Sequence, residues 1–159
     1  MAQEECLFRC SNLCQVSKNV EHWYPLQEDE GIYTKDVTFF RDVDYNAISD
    51  PIVADVITIP AINLNKVTLS EHEYIDLTLN KIRLMLSMAA YNATSLVLGA
   101  WGCGVYNNRP RTMAGLFKRV LVDEGYRNYF DTIAFAIIQD KNSAGDNYQE
   151  FKKVFSAIK

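Results

Sequence analysis

Residues 95–108 read SLVLGAWGCGVYNN. The first four residues, Ser95 to Leu98, form a short apolar run of the kind expected of a strand covered on both faces. Gly99, Gly102 and Gly104 follow within six residues, flanked by Trp101 and Tyr106, and Pro110 then stands where a helix can begin. A loop between a strand and a helix lies at the carboxyl end of the strand, where α/β sheets take ligands. Glycines there let backbone N–H groups turn toward an anion beside the positive end of the next helix. The spacing is neither GxGxxG nor that of a P-loop, which would carry Lys-Ser/Thr. A bare strand-to-helix turn is the alternative; the glycine density and the flanking rings favour phosphate or nucleotide binding.

Outward from this loop, the pattern predicts an α/β fold. Ser70-Glu71-His72-Glu73 is a capping box ahead of a long helix whose period runs through Ile75, Leu79, Ile82, Leu86 and Ala89. A helix is expected from Pro110 to about Asp123, a buried strand over Thr132 to Ile138, and a final amphipathic helix over Tyr148 to Ile158 with Phe151, Val154 and Phe155 inward. Upstream, residues 3–16 read as one helix and Trp23 to Asp36 as a surface loop. Asp36 to Arg41 and Val53 to Pro60 read as strands rich in β-branched residues. Helices between apolar strands imply a mainly parallel sheet flanked by helices.

The 159 residues carry no internal repeat and no low-complexity linker, so one domain over residues 1–159 is expected. A 48% hydrophobic fraction excludes a disordered composition. No apolar run reaches membrane-spanning length, so no membrane partner is expected. Sixteen Lys and Arg against twenty Asp and Glu give a net charge of −4, which argues against a nucleic acid held by its phosphates. That balance leaves open a small anion held by backbone amides. Four cysteines without a secretory signal suggest free thiols in a reducing compartment, and hence the cytoplasm, or the nucleus in a eukaryote.

The chain opens MAQEECLFRC. Glu4 and Glu5 point about 100° apart on a helix and so cannot share one task. Acids at a helix start answer the dipole; alternatively, one carboxyl serves as general acid while its neighbour orients substrate, an arrangement suited to glycosidic chemistry. Cys6, Cys10 and Cys14 drift around the helix with no fourth ligand at zinc spacing and match no iron–sulfur pattern, so they read as small apolar core residues. No metal or cofactor is expected. His22 and His72 lack any metal or triad pattern, and Cys103 lacks a basic neighbour that would make it reactive.

Taken together, AQEE at residues 2–5, the Ser11-Asn12-Leu13 of the following helix, DVTFFRD (36–42), ADVITIPAIN (54–63), LVLGAWGCGVYNN (96–108), FAII (135–138) and NYQEF-x3-F (147–155) resemble the microbial-type poly(ADP-ribose) glycohydrolases. The resemblance implies a macrodomain-like catalytic unit, a mixed α/β fold, that binds ADP-ribose or poly(ADP-ribose) on modified proteins. It implies that Glu5 protonates the ribose–ribose glycosidic oxygen, Glu4 holds the hydroxyls of the ribose being released, and Gln3 shapes the pocket. Gly102, Cys103, Gly104, Val105 and Tyr106 match the loop that wraps the diphosphate. Family members carry a Gly-Gly-Gly loop and further strands ahead of the glutamates, and this chain begins at the glutamates. The expectation is therefore a fold incomplete at its N-terminus, with sheet edges covered by a partner chain. The activity implied is hydrolysis releasing ADP-ribose; the alternatives are a non-catalytic ADP-ribose-binding module and an inactive remnant.

Overall fold

The computed structural model describes residues 3–17, 24–139 and 146–156. They fall into two compact units, Met1–Ile59 and Pro60–Lys159.

In the first unit, α1 (Gln3–Cys10) and α2 (Leu13–Ser17) accompany a hairpin of β1 (Ile32–Arg41) and β2 (Ala47–Thr58). The single helix expected over residues 3–16 is thus broken in two. At the break, the Ser11 hydroxyl donates to the Leu7 carbonyl at 2.7 Å and accepts the Leu13 N–H at 3.1 Å. Asn12 pairs with β1 through both backbone and side chain: its N–H donates to the Thr38 carbonyl at 3.1 Å, and its Oδ1 accepts the Thr38 N–H at 3.0 Å. Polar side chains that bond the backbone compete with helix continuation in this way. Leu13, Val37 and Val56 form the core of the unit, with Leu7, Phe8 and Phe39 packed against it. Cys6, Cys10 and Cys14 are free and half-buried rather than interior, and the Cys10 thiol lies 3.3 Å from the Asp42 carbonyl.

β1 starts four residues earlier than expected because a bulge hides its alternation. The register steps from Thr34↔Val56 to Val37↔Ala54, leaving Lys35 and Asp36 unmatched, with Asp36 at φ +54°. Asp55 closes the bulge, its carboxylate accepting the Asp36 N–H at 2.9 Å and the Tyr33 hydroxyl at 2.5 Å. β2 begins at Ala47, six residues before the expected start. Its Pro51 is tolerated at a second irregularity, between Phe39↔Ile52 and Arg41↔Ala47, where no regular ladder bond is demanded of it.

In the second unit, α3 (Glu71–Asn92) begins with the expected capping box: Ser70 Oγ accepts the Glu73 N–H, and the Glu73 carboxylate accepts the Ser70 N–H. β3 (Ser95–Leu98) and β4 (Thr132–Phe135) pair in parallel, from Ser95↔Thr132 to Leu98↔Phe135. Between them run the glycine-rich loop, α4 (Pro110–Lys118), a π-helical segment (Arg119–Asp123) and a 3₁₀ turn (Tyr126–Tyr129). The helix expected to Asp123 therefore changes its winding at Arg119. The last helix, α5, spans Asn147–Phe155; Ile158 lies outside the described residues. The described strands form two two-stranded sheets, antiparallel in the first unit and parallel in this one.

One face of the β3–β4 pair packs on helices. Phe117 of α4, fully buried, meets Phe135 of β4 with ring centres 5.5 Å apart and Phe151 of α5 at 6.5 Å; Trp101 of the loop meets Phe117 at 6.3 Å. On the opposite face Ser95, Val97, Thr132 and Ala134 are exposed, Val97 at 71%, and no described residue covers it. This corrects the expectation that both strands are covered on both sides.

The loop before α4 is tied down by Asn108, only 2% exposed. Its Nδ2 donates to the carbonyls of Ile62 and Gly102, both at 2.9 Å, and its Oδ1 accepts the Tyr74 hydroxyl of α3 at 2.8 Å. Its own N–H reaches the Gly102 carbonyl at 3.1 Å. Among the described residues, no helix is long and apolar enough to cross a membrane.

Two outcomes follow for stability. Asn108→Ala removes the side-chain donor to the Ile62 carbonyl and the acceptor of the Tyr74 hydroxyl, and should cost about 2–4 kcal/mol, read from urea unfolding of the two proteins. The hydroxyl of Tyr33, the Asp36 N–H and nearby Lys35 hold the Asp55 carboxyl below its ordinary range. A depressed carboxyl contributes stability above its unfolded pKa and loses it as pH falls through the folded one. Hydrogen exchange of the β1–β2 amides should therefore be faster in Asp55→Asn than in wild type at neutral pH, with the gap closing in acid.

Candidate functional site

The glycine-rich loop is shaped from within. Gly102 has φ +74°, a conformation that favours glycine, and a Cβ there would lie 2.6 Å from Asn108 Nδ2 and 2.7 Å from the Ala61 Cβ. Two turns build the bend: the Cys103 N–H donates to the Ala100 carbonyl at 3.0 Å, and the Asn107 N–H to the Gly104 carbonyl at 3.0 Å. Segment 62–65 grips the outer half, with the Leu64 N–H on the Tyr106 carbonyl at 3.1 Å and Asn65 Nδ2 on the Val105 carbonyl at 2.7 Å. The carbonyls of Ala100, Gly102, Gly104, Val105 and Tyr106 are thus occupied, while the N–H groups of Gly104, Val105 and Tyr106 have no acceptor among the described residues. Gly104 and Val105 are exposed, and a Cβ at Gly104 would meet nothing within 4 Å. A row of free amides in open space beside the first turn of α4 can hold an anion without a basic side chain.

The loop's side chains divide by depth. Cys103 is 6% exposed, and burial pushes its thiol up to about 12, so it is no nucleophile at neutral pH. Val105 projects outward at 65% exposure, and Tyr106 is half-buried.

In the other unit, Gln3, Glu4 and Glu5 occupy the first turn of α1. Gln3 is exposed. Glu4 is half-buried and accepts a hydrogen bond from the Tyr24 hydroxyl. Glu5 is exposed and paired with Arg9 one turn later at 2.7 Å. The two carboxylates therefore have separate partners, in keeping with their divergent directions on the helix.

Among the described residues no cluster of His, Cys, Asp and Glu could hold a metal ion. His72 is exposed and lies 3.1 Å from Asp76 on its own helix; His22 lies outside the described residues. Asn65, Tyr74 and Asn108, which hold the loop's shape, escaped sequence reasoning. An asparagine between a glycine-rich turn and a helix-opening proline, as at Asn108-Arg109-Pro110, was the one available signal, since asparagine so placed commonly bonds local backbone.

No protein-family model and no curated protein sequence matches the chain. Solved structures do. The chain is similar to the poly(ADP-ribose) glycohydrolase of Deinococcus radiodurans, crystallised in complex with ADP-ribose, at 31% identity and a TM-score of 0.85, over 98% of this chain and 68% of that one. It is also similar to the poly(ADP-ribose) glycohydrolase of Thermomonospora curvata at 29% identity and a TM-score of 0.88, over 98% of this chain and 61% of that one. With that enzyme bound to the inhibitor ADP-HPD, identity is 30% and the TM-score 0.89, with 63% of the longer chain spanned. At this identity, and with the likeness running through both units, the chain belongs to the poly(ADP-ribose) glycohydrolase family.

Proposed function

We propose that the chain hydrolyses the O-glycosidic ribose–ribose bonds of poly(ADP-ribose) on modified proteins and releases ADP-ribose. The observation that carries this reading is the similarity, over 98% of the chain, to an enzyme crystallised with ADP-ribose. The row of free amides at Gly104–Tyr106 supports it, because a diphosphate is the anion such a row would take. In this reading Gly102, Cys103, Gly104, Val105 and Tyr106 form the diphosphate cradle, and residues 1–159 act as one catalytic domain. The protein would work in the cytoplasm, or in the nucleus of a eukaryote. The exposed face at Ser95, Val97, Thr132 and Ala134 supports a covering surface supplied by a partner chain.

The chemistry assigned to the acids is that of a glycosidase. The Glu5 carboxyl gives its proton to the glycosidic oxygen as the carbon–oxygen bond breaks and oxocarbenium character develops on the ribose. Water adds to that carbon, and its proton returns to the Glu5 carboxylate. Glu4 accepts hydrogen bonds from the ribose hydroxyls, which replace the Tyr24 hydroxyl now on it. Gln3 lines the sugar. Arg9, now on Glu5, has to yield before Glu5 can serve as the donor.

That prior engagement of both carboxylates favours a second reading, an ADP-ribose-binding module without turnover. Calorimetry with ADP-ribose beside an assay of its release from polymer separates the two. Turnover that falls at least about 100-fold in Glu5→Gln, with ADP-ribose affinity retained, supports the enzyme; binding with no release by wild type supports the module. Gly102→Ala should weaken ADP-ribose binding in either case, since the new Cβ collides with Asn108 and Ala61 and strains the backbone. Wild-type affinity in that variant would remove the loop from the site.

A further inference from the structure

We propose that Asn65 is a positioning residue that aims the loop's amides at the diphosphate, an inference resting on the ADP-ribose reading above. In a planar trans peptide, the carbonyl of one residue and the N–H of the next point in opposite directions. Whatever holds the Val105 carbonyl therefore fixes the direction of the Tyr106 N–H. The holder is Asn65, whose Nδ2 donates to that carbonyl at 2.7 Å. By the same rule, the Asn107 N–H on the Gly104 carbonyl at 3.0 Å fixes the direction of the Val105 N–H. One of these two peptides is set by the loop itself and the other by a side chain from outside it.

Asn65 is suited to the task. Its backbone is fixed by a turn in which Asn63 Oδ1 accepts the Asn65 N–H at 3.1 Å and the Asn63 carbonyl accepts the Lys66 N–H at 2.9 Å. Its neighbour Leu64 holds the next carbonyl, that of Tyr106, at 3.1 Å. Gly104 has open space beside it and Val105 is exposed; without Asn65 nothing else among the described residues bonds the Val105 carbonyl, and the 105–106 peptide can rotate. Binding an anion would then first have to order that peptide, which lowers affinity without touching the fold. Asn65 is itself exposed, whereas Asn108 is buried.

The test compares wild type with Asn65→Ala in thermal unfolding, in calorimetry with ADP-ribose, and in amide NMR with ADP-ribose at saturation. The expected result is an unchanged melting temperature, an ADP-ribose Kd raised about tenfold, and a Tyr106 amide proton that shifts downfield on binding in wild type but not in the variant. Wild-type affinity together with a wild-type Tyr106 response in Asn65→Ala overturns the proposal while leaving the ADP-ribose reading intact. A lowered melting temperature with shift changes spread through Pro60–Lys159 overturns it in favour of a structural role. Failure of the wild type to bind ADP-ribose sinks the parent reading, and the positioning role with it.

Discussion

A buried amide side chain with every bonding group engaged is the constraint from which the second unit's site follows. Asn108 sits where water does not reach, so each of its donors and acceptors must find a protein partner or cost free energy. Its partners come from three places in the chain: Ile62 ahead of α3, Tyr74 within α3, and Gly102 inside the loop. Meeting them fixes the loop against the helix and draws Gly102 so close that no side chain fits there. The inward carbonyls follow from this closure, and outward amides follow from the inward carbonyls. Under the proposed function, binding capacity here would be a by-product of satisfying polar groups on the other side of the same peptides.

The first unit applies the same device to different ends. Asn12 offers Thr38 a donor and an acceptor in the manner of a neighbouring strand, and so docks the helices on the hairpin. Asp55 takes the amide that the bulge at Asp36 would otherwise leave unpaired. In both units a short polar side chain stands in for backbone at a point where regular structure fails.

That substitution also explains what could be read in advance. The capping box at Ser70 and Glu73, the period of α3 and the strand–loop–helix order around the glycines were legible, because each rests on neighbours a few residues apart. The bulge at Lys35 and Asp36 was not, since alternation breaks wherever an extra residue enters a strand. The break at Ser11 and Asn12 was missed because its cause, Thr38, lies on another element. Covering of SLVL on both faces was inferred from its composition, and composition reports what a strand can bury rather than what lies beside it. At the candidate site, the glycines and the acid pair stood out by residue type. Asn65 and Asn108 did not, because their role depends on which carbonyl they reach.

Under the proposed function an acidic chain would bind a polyanion, and the loop offers the means. With a net charge of −4, long-range attraction gives no help to a phosphate-rich ligand, and lysine or arginine clusters are not what the loop presents. Backbone amides act only at contact and only along fixed directions, so they discriminate by shape where a basic patch discriminates by charge. A nucleic acid, whose phosphates are single and evenly spaced, gains little from a cradle of three adjacent N–H groups; a diphosphate presents several oxygens to them at once. The cost is sensitivity: once recognition rests on directions, a peptide turned the wrong way is as damaging as a missing charge would be elsewhere. This is why the groups that orient the loop matter as much to its chemistry as the residues that compose it.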